Sequence, residues 1–371
     1  MSRMIHQPFS RRAGFAASAA TGTALLLQSD RAAFAQDATP VASPLPPATP
    51  DPQMQAVLDA LAAFNAPPLE TVTPFVGRNL PSFRNAVEAV LAERGEPAIE
   101  PVGMIEHVLF AGLDGEQVLA RIYRPQADMT TMLPMLVYFH GGGFVIANLD
   151  TYDASCRALC NAVGAIVVAV AYRLAPVAQF PTAPNEAYAA VQFVLGGGIS
   201  GGDTTKVAVV GESAGGNLAT VSCLLARDQA GLMPVHQVLI YPVTTFAPTG
   251  AAAESVVQYA DAKPLNAAML QWFGEHYLAD PADAASPYVS PLDTADLSGL
   301  PPATIVLAEI DPLQSQGAAY AAALQAAGGS ATLHLYEGVT HEFFGMGLAV
   351  DTANTAVQTV ASELKTAFGT M

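Results

Sequence analysis

The most constraining stretch of this chain lies near its middle. Lys206-Val-Ala-Val-Val210 is a short apolar strand segment. It passes without a break into Gly211-Glu212-Ser213-Ala214-Gly215-Gly216 and then into a helical pattern. A strand, a tight turn with glycines around a serine, and a helix together lift the serine oxygen clear of the strand. Gly211 and Gly215 remove the Cβ atoms that would collide in such a bend. The helix behind the turn directs its positive dipole end at any oxyanion forming beside Ser213. The plain alternative is a glycine-rich strand–helix turn with a capping serine.

The surrounding pattern supplies the frame for that turn. From about residue 102, short Val- and Ile-rich runs alternate with helical stretches. Strands are expected over 104–110, 117–124, 134–139, 165–172, 206–210, 237–241, 303–308 and 331–336. Helices are expected over 151–162, 183–195, 214–230, 314–327 and 353–368. The first strands follow one another without helices, which suggests a small antiparallel start. The later alternation predicts an α/β fold, a mostly parallel eight-stranded sheet with helices on both faces. Strands buried on both faces should be almost wholly apolar, and AIVVAVAY over 165–172 is. A chain that is 51% hydrophobic and 13% charged can bury such a core, and its composition excludes wholesale disorder.

The segments outside this alternation have distinct characters. Residues 1–35 place Arg3, Arg11 and Arg12 before the apolar stretch Ala13–Leu27, and Ala33-Phe34-Ala35 offers small residues at a cleavage site. That layout is an export signal, and Ser10-Arg11-Arg12 resembles the twin-arginine kind. The protein is therefore expected to be exported, periplasmic or secreted, without stable membrane insertion after cleavage. Residues 36–52 are Pro-rich and predict a linker. Helical spacing over 53–64 and 82–94, the latter between Ser82 and Gly95, predicts N-terminal cap helices within 53–100. Residues 243–285 interrupt the alternation and carry Met269, Trp272, Phe273 and Tyr277, which predicts a helical cap insertion into the 101–371 domain.

Charge and cysteine content narrow the partners. Lys and Arg number 15 against 32 Asp and Glu, a net charge of −17, so nucleic acid is excluded as a general partner. Cys156, Cys160 and Cys223 predict buried free thiols. No histidine stands at ligand spacing from them, so no metal site is expected.

The strand over 134–139 ends in His140-Gly141-Gly142-Gly143-Phe144. A glycine run there frees backbone N–H groups to face a developing oxygen charge, as acyl transfer requires. The candidate oxyanion donors are the amides of Gly141, Gly142 and Ala214. A phosphate loop is the rival, but no following Lys and Ser or Thr complete it. His140 is assigned a bracing role through hydrogen bonds.

A serine nucleophile needs a base and an orienting acid, which in this type of sheet follow in the order Ser, Asp or Glu, His. His236, His276, His334 and His341 follow Ser213. His236 begins a strand, His276 lies in the expected cap, and His334 sits inside an alternating run. His341 comes after that run, where a general base belongs. Asp311 follows the strand over 303–308 and precedes Pro312. It is the candidate acid, with Glu309 and Glu337 as weaker competitors and an N-cap role as the plain alternative.

With these residues identified, the chain from about 105 to 371 resembles the hormone-sensitive-lipase-like branch of the α/β-hydrolases, the bacterial family IV carboxylesterases. The resemblance rests on His140-Gly141-Gly142-Gly143-Phe144, on Gly211-Glu212-Ser213-Ala214-Gly215-Gly216-Asn217-Leu218 and on Tyr172-Arg173-Leu174-Ala175-Pro176. Ser286-Pro287, Asp311-Pro312-Leu313 and His341 followed by Phe343 complete it. It implies an α/β-hydrolase fold with a helical cap, a catalytic Ser213, Asp311 and His341, and an oxyanion hole of Gly141, Gly142 and Ala214. It implies hydrolysis of short- to medium-chain esters through an acyl-enzyme, a small-molecule ester substrate, and no cofactor. An amidase or peptidase with the same three residues, or a non-catalytic small-ligand receptor, are the alternatives. The sequence leaves the oligomeric state open, with a homodimer among the options. The chain departs from the family pattern at three places. Val177 replaces Glu, Gln314-Ser315-Gln316 replaces a more charged segment, and Glu342 replaces Gly. Glu342 either supports a protonated His341 or faces water.

Overall fold

The computed structural model describes residues 48–127 and 131–370. The export signal expected over 1–35 and most of the linker expected over 36–52 lie outside them. The sheet comprises β1 (Met104–Ala111), β2 (Gln117–Arg124), β3 (Leu133–Phe139), β4 (Ile166–Ala171), β5 (Gly202–Glu212), β6 (His236–Ile240), β7 (Ala303–Ile310) and β8 (Ala331–Thr340). Their spatial order is β1-β2-β4-β3-β5-β6-β7-β8. β2 pairs antiparallel with both β1 and β4, and every later pairing is parallel. The antiparallel start and the parallel remainder are those expected from the strand and helix succession.

Among the described residues, three α-helices precede the sheet: α1 (Pro52–Ala63), α2 (Pro74–Gly77) and α3 (Phe83–Arg94). The rest are α4 (Asp153–Val163), α5 (Thr182–Leu195), α6 (Ala214–Asp228), α7 (Glu254–Gln258), α8 (Ala267–Tyr277), α9 (Gln314–Ala326) and α10 (Asp351–Phe368). Their ends follow sequence chemistry. Asp51 caps α1 through its side chain, and Ser82 with Asn85 closes a capping box on α3. Gly95 ends α3 with φ 68°, a left-handed turn that glycine adopts at no steric cost.

Strand alternation sorts the core onto two faces. Met135, Val137 and Phe139 of β3 pack with α5, α6 and α9, whereas Leu136 and Tyr138 pack with α1, α3, α4 and α10. Both sets are fully buried, which is why the central strands carry no polar alternation. Among the described residues no helix is long and apolar enough to cross a membrane.

The topology positions the site. The chain leaves β3 to form β4 on one side and returns to form β5 on the other. Ligand crevices open at such a reversal, beyond the carboxyl ends of the strands. Phe139 of β3 lies opposite Gly211 of β5, so the glycine run and the serine turn emerge side by side.

Several strands exceed their expected lengths: β5, expected over 206–210, spans Gly202–Glu212, and β7, expected over 303–308, runs to Ile310. β8 was expected to end at 336, yet it runs to Thr340. A register shift beside Ala308 lets Ile310 pair with Thr340, and Gly338 takes φ 69° within that irregular stretch. His341 therefore stands directly at a strand end and not deep in a loop.

Candidate active site

The turn at Ser213 is as tight as its glycines imply. Ser213 has φ 57° and ψ −116°, a conformation costing about 1–3 kcal/mol for a residue with a Cβ. A Cβ on Gly211 would overlap the Gly215 carbonyl, and one on Gly215 would overlap the Phe139 carbonyl. The turn is tied down by Ser213 N–H donating to Ile240 O at 2.9 Å and Val243 N–H donating to Ser213 O at 3.1 Å. The Asn217 side-chain amide donates to Val243 O and Val289 O, both at 2.9 Å, which fixes the first turn of α6 against the chain leaving β6.

Three sequence-distant side chains meet at this turn. His341 Nε2 lies 2.9 Å from Ser213 Oγ, and its Nδ1 lies 2.7 Å from Asp311 Oδ2. A carboxylate only accepts, so the neutral imidazole carries its proton on Nδ1 and leaves Nε2 free to accept from the hydroxyl. Asp311 Oδ1 accepts from Leu313 N–H at 2.8 Å, so the residue serves its own turn and His341 together. Asp311, His341 and Ser213 are 0%, 2% and 5% exposed. Burial alone would lower the pKa of His341. The Asp311 carboxylate and its hydrogen bond, then Glu342 and Glu212, outweigh that and raise it above 6.5.

The other candidate residues lie elsewhere. His236 bonds Thr304 Oγ1 at 2.9 Å within the sheet. The His276 ring stands edge-on to Trp272 on α8, and His334 faces Glu363. Glu309 accepts from Gly338 N–H, and the carboxylate hydrogen-bonded to His341 is that of Asp311.

The glycine loop is held from both sides. The His140 ring bonds Gly141 O at 2.7 Å, and the Tyr172 hydroxyl donates to His140 O at 2.7 Å. Burial pushes the His140 pKa down to about 4, so the ring is a neutral brace, as assigned from sequence. Phe144 stacks on Tyr277 at 3.9 Å, and a Cβ on Gly143 would overlap the Phe273 ring, which docks the loop onto α8. The amides of Gly141 and Gly142 donate to no acceptor among the described residues. Ala214 is the first residue of α6, so its N–H has no intrahelical acceptor.

A cleft of about 1010 Å³ opens above Ser213, His341, Gly142 and Gly143. Its walls include Leu58, Leu69, Ile146, Met269 and Phe273, contributed by the N-terminal segment, the loop and α8. The N-terminal segment and the insertion meet where Trp272 Nε1 donates to Val72 O at 3.2 Å. The uncharged Gln314-Ser315-Gln316 segment has a definite task. Gln316 Oε1 accepts from Thr244 N–H at 2.6 Å and Thr245 N–H at 3.0 Å, clamping the start of the insertion. Val177 is 87% exposed and makes no comparable contact.

Two features were not legible from motif alone. The Glu212 carboxylate is fully buried and accepts from Tyr138 and Tyr241, each at 2.5 Å. The Tyr152 hydroxyl donates to Glu342, at 2.8 and 2.7 Å to its two oxygens. The one sequence signal for the second was a charged residue at a glycine position. The structure supplies the reason for that preference, since Glu342 has φ 72°.

Comparison with known proteins agrees with this architecture. Residues 136–345 match a family described as having the α/β-hydrolase fold. An ethyl acetate hydrolase of Pseudomonas putida is 39% identical over 255 residues, 68% of this chain and 79% of that protein. A carboxylesterase of Mycobacterium tuberculosis is 38% identical over 261 residues, 69% of this chain and 81% of its own. The crystal structure of an esterase from Pyrobaculum calidifontis superposes with a TM-score of 0.75 at 38% identity, covering 85% of this chain and 98% of that one. The chain belongs to the α/β-hydrolase fold family, in its hormone-sensitive-lipase-like branch.

Proposed function

We propose that this protein is a serine carboxylesterase that cleaves short- to medium-chain esters through an acyl-enzyme. The observation that carries the reading is the continuous hydrogen-bonded line from Ser213 Oγ through His341 to Asp311 at 2.9 and 2.7 Å. His341 Nε2 takes the hydroxyl proton as Oγ attacks the ester carbonyl carbon. The amides of Gly141, Gly142 and Ala214 hold the tetrahedral oxyanion. The carbonyl re-forms, the alcohol leaves with the proton from Nε2, and Ser213 carries the acyl group. Water, deprotonated by the same nitrogen, then releases the acid and restores the hydroxyl. Asp311 keeps the proton on Nδ1 and stabilises the imidazolium at each transfer. The apolar walls contributed by the segment 53–100 and the insertion 243–285 serve as the cap that receives the acyl chain.

The test is hydrolysis of a short-chain aryl ester by the wild type and by Ser213→Ala. Loss of about 10³-fold or more in kcat is expected for the variant, and equal rates would contradict the assignment. Beyond the site, the protein is exported through its first 35 residues, and a second copy of the chain is the partner to test for. N-terminal sequencing of the mature protein checks the first point, with a retained Met1 as the opposing result. Light scattering checks the second, with a monomer mass as the opposing result.

A further inference from the structure

His341 has a second carboxylate beside it that the hydrolytic cycle above does not use. Glu342 Oε1 lies 3.8 Å from His341 Nε2, the nitrogen facing Ser213, whereas Asp311 holds the opposite nitrogen. The placement is enforced at three points. The backbone at Glu342 sits at φ 72°, a left-handed conformation that costs a residue with a Cβ about 1–2 kcal/mol. The side chain is only 13% exposed. Its two oxygens share the Tyr152 hydroxyl, and a Cβ on Gly141 would overlap that same hydroxyl, so the clasp leans on the glycine loop. A solvated surface glutamate needs none of these constraints. A strained backbone that holds a partly buried charge against a proton-transfer atom marks function.

We propose that Glu342 is a positioning residue for His341: clasped by Tyr152 beside Nε2, its carboxylate stabilises the imidazolium at each proton transfer and thereby sets the acid limb of the pH–rate profile. The inference rests on His341 acting as the base. Glu342 takes up no proton in the cycle. The proton passes between Ser213 Oγ and Nε2, and Glu342 acts through its charge. The other groups facing the imidazole are Asp311 after β7, Glu212 at the end of β5, and the Tyr241 ring after β6, at 4.5 Å. Those that ionise are carboxylic acids, with the Glu212 pKa itself raised to about 7, so each favours the cation where ionised and Glu342 adds to that field. Its own pKa is raised, chiefly by burial, so the pair titrates jointly and the limb reports an apparent value.

The experiment is the kcat/KM profile of an aryl ester from pH 5 to 9 for the wild type, Glu342→Gln and Glu342→Gly. Activity requires neutral His341. Removing a neighbouring negative charge lowers its pKa, so the acid limb of both variants should move to lower pH by about one unit or more. Glu342→Gly suits the left-handed backbone and keeps the test valid if the Gln variant folds poorly. Limbs that coincide with the wild type would overturn the proposal, as would a uniform loss of rate at every pH, which is what a purely structural role produces. Ser213→Ala, assayed alongside, separates the two levels. If it retains full activity the reaction assignment fails, whereas an inactive Ser213→Ala with unmoved Glu342 limbs removes only the role given to Glu342.

Discussion

Glu212 offers a sharp quantitative test of the site's electrostatics. Its carboxylate is fully buried one residue before Ser213, and burial raises its pKa from 4.5 to about 7 even though Tyr138 and Tyr241 donate to it. A carboxylate whose folded pKa exceeds its unfolded value binds more protons in the folded state, so folding stability falls as pH rises between those values. Below 4.5 the residue is neutral in both states and costs nothing. Above about 7 the full penalty applies, and a shift of that size corresponds to about 3 kcal/mol. Glu212→Gln removes the titration and leaves one acceptor for the tyrosines. Urea unfolding of both proteins at several pH values from 4.5 to 8.5 isolates the effect, because every other titrating group is common to both. The stability difference in favour of the variant should grow by about 3 kcal/mol across the range, or about 5 °C in Tm. A difference that stays constant with pH would refute the claim that this buried acid ionises at a cost.

Two further changes probe the chemistry and the turn. Asp311→Asn should keep the fold but lower kcat by about 10³–10⁴-fold, because a side-chain amide does not hold the His341 proton on Nδ1 as a carboxylate does. Circular dichroism and steady-state assays check this, and a loss below tenfold would count against Asp311 as the orienting acid. Gly215→Ala places a methyl group against the Phe139 carbonyl at the junction of β3 and the elbow. Soluble yield and Tm should both drop, by more than the typical cost of about 1 kcal/mol for a point change, and an unaltered Tm would contradict the close packing described here.

The sheet was legible because buried parallel strands such as Ile166–Ala171 leave an unbroken apolar signature, and because α6 starts at the glycines that permit its elbow. Asp311 and His341 were legible through their positions after strands, which the chain order of Ser, acid and base restricts strongly. The limits of the sequence are physical. β8 overran its expected end because Ile310 pairs with Thr340 only through two extra residues bulged within β8 after Tyr336, which a simple two-residue alternation does not encode. Tyr152 and Glu342 lie 190 residues apart, and nothing local to either announces the clasp. Tyr138 reads as one more apolar-run residue in β3, yet its hydroxyl is a donor to a buried acid. The docking of Phe144 on Tyr277 likewise depends on how the insertion folds back over the glycine loop.

The proposed chemistry depends on Ser213 being a nucleophile made reactive by His341 and Asp311. Incubation with an aryl phosphonate ester followed by peptide mass spectrometry tests it most directly. One covalent adduct per chain is expected, on Ser213, with parallel loss of esterase activity and with labelling abolished in His341→Ala. Complete inactivation accompanied by an adduct on a different residue, or an unlabelled and fully active protein, would contradict it.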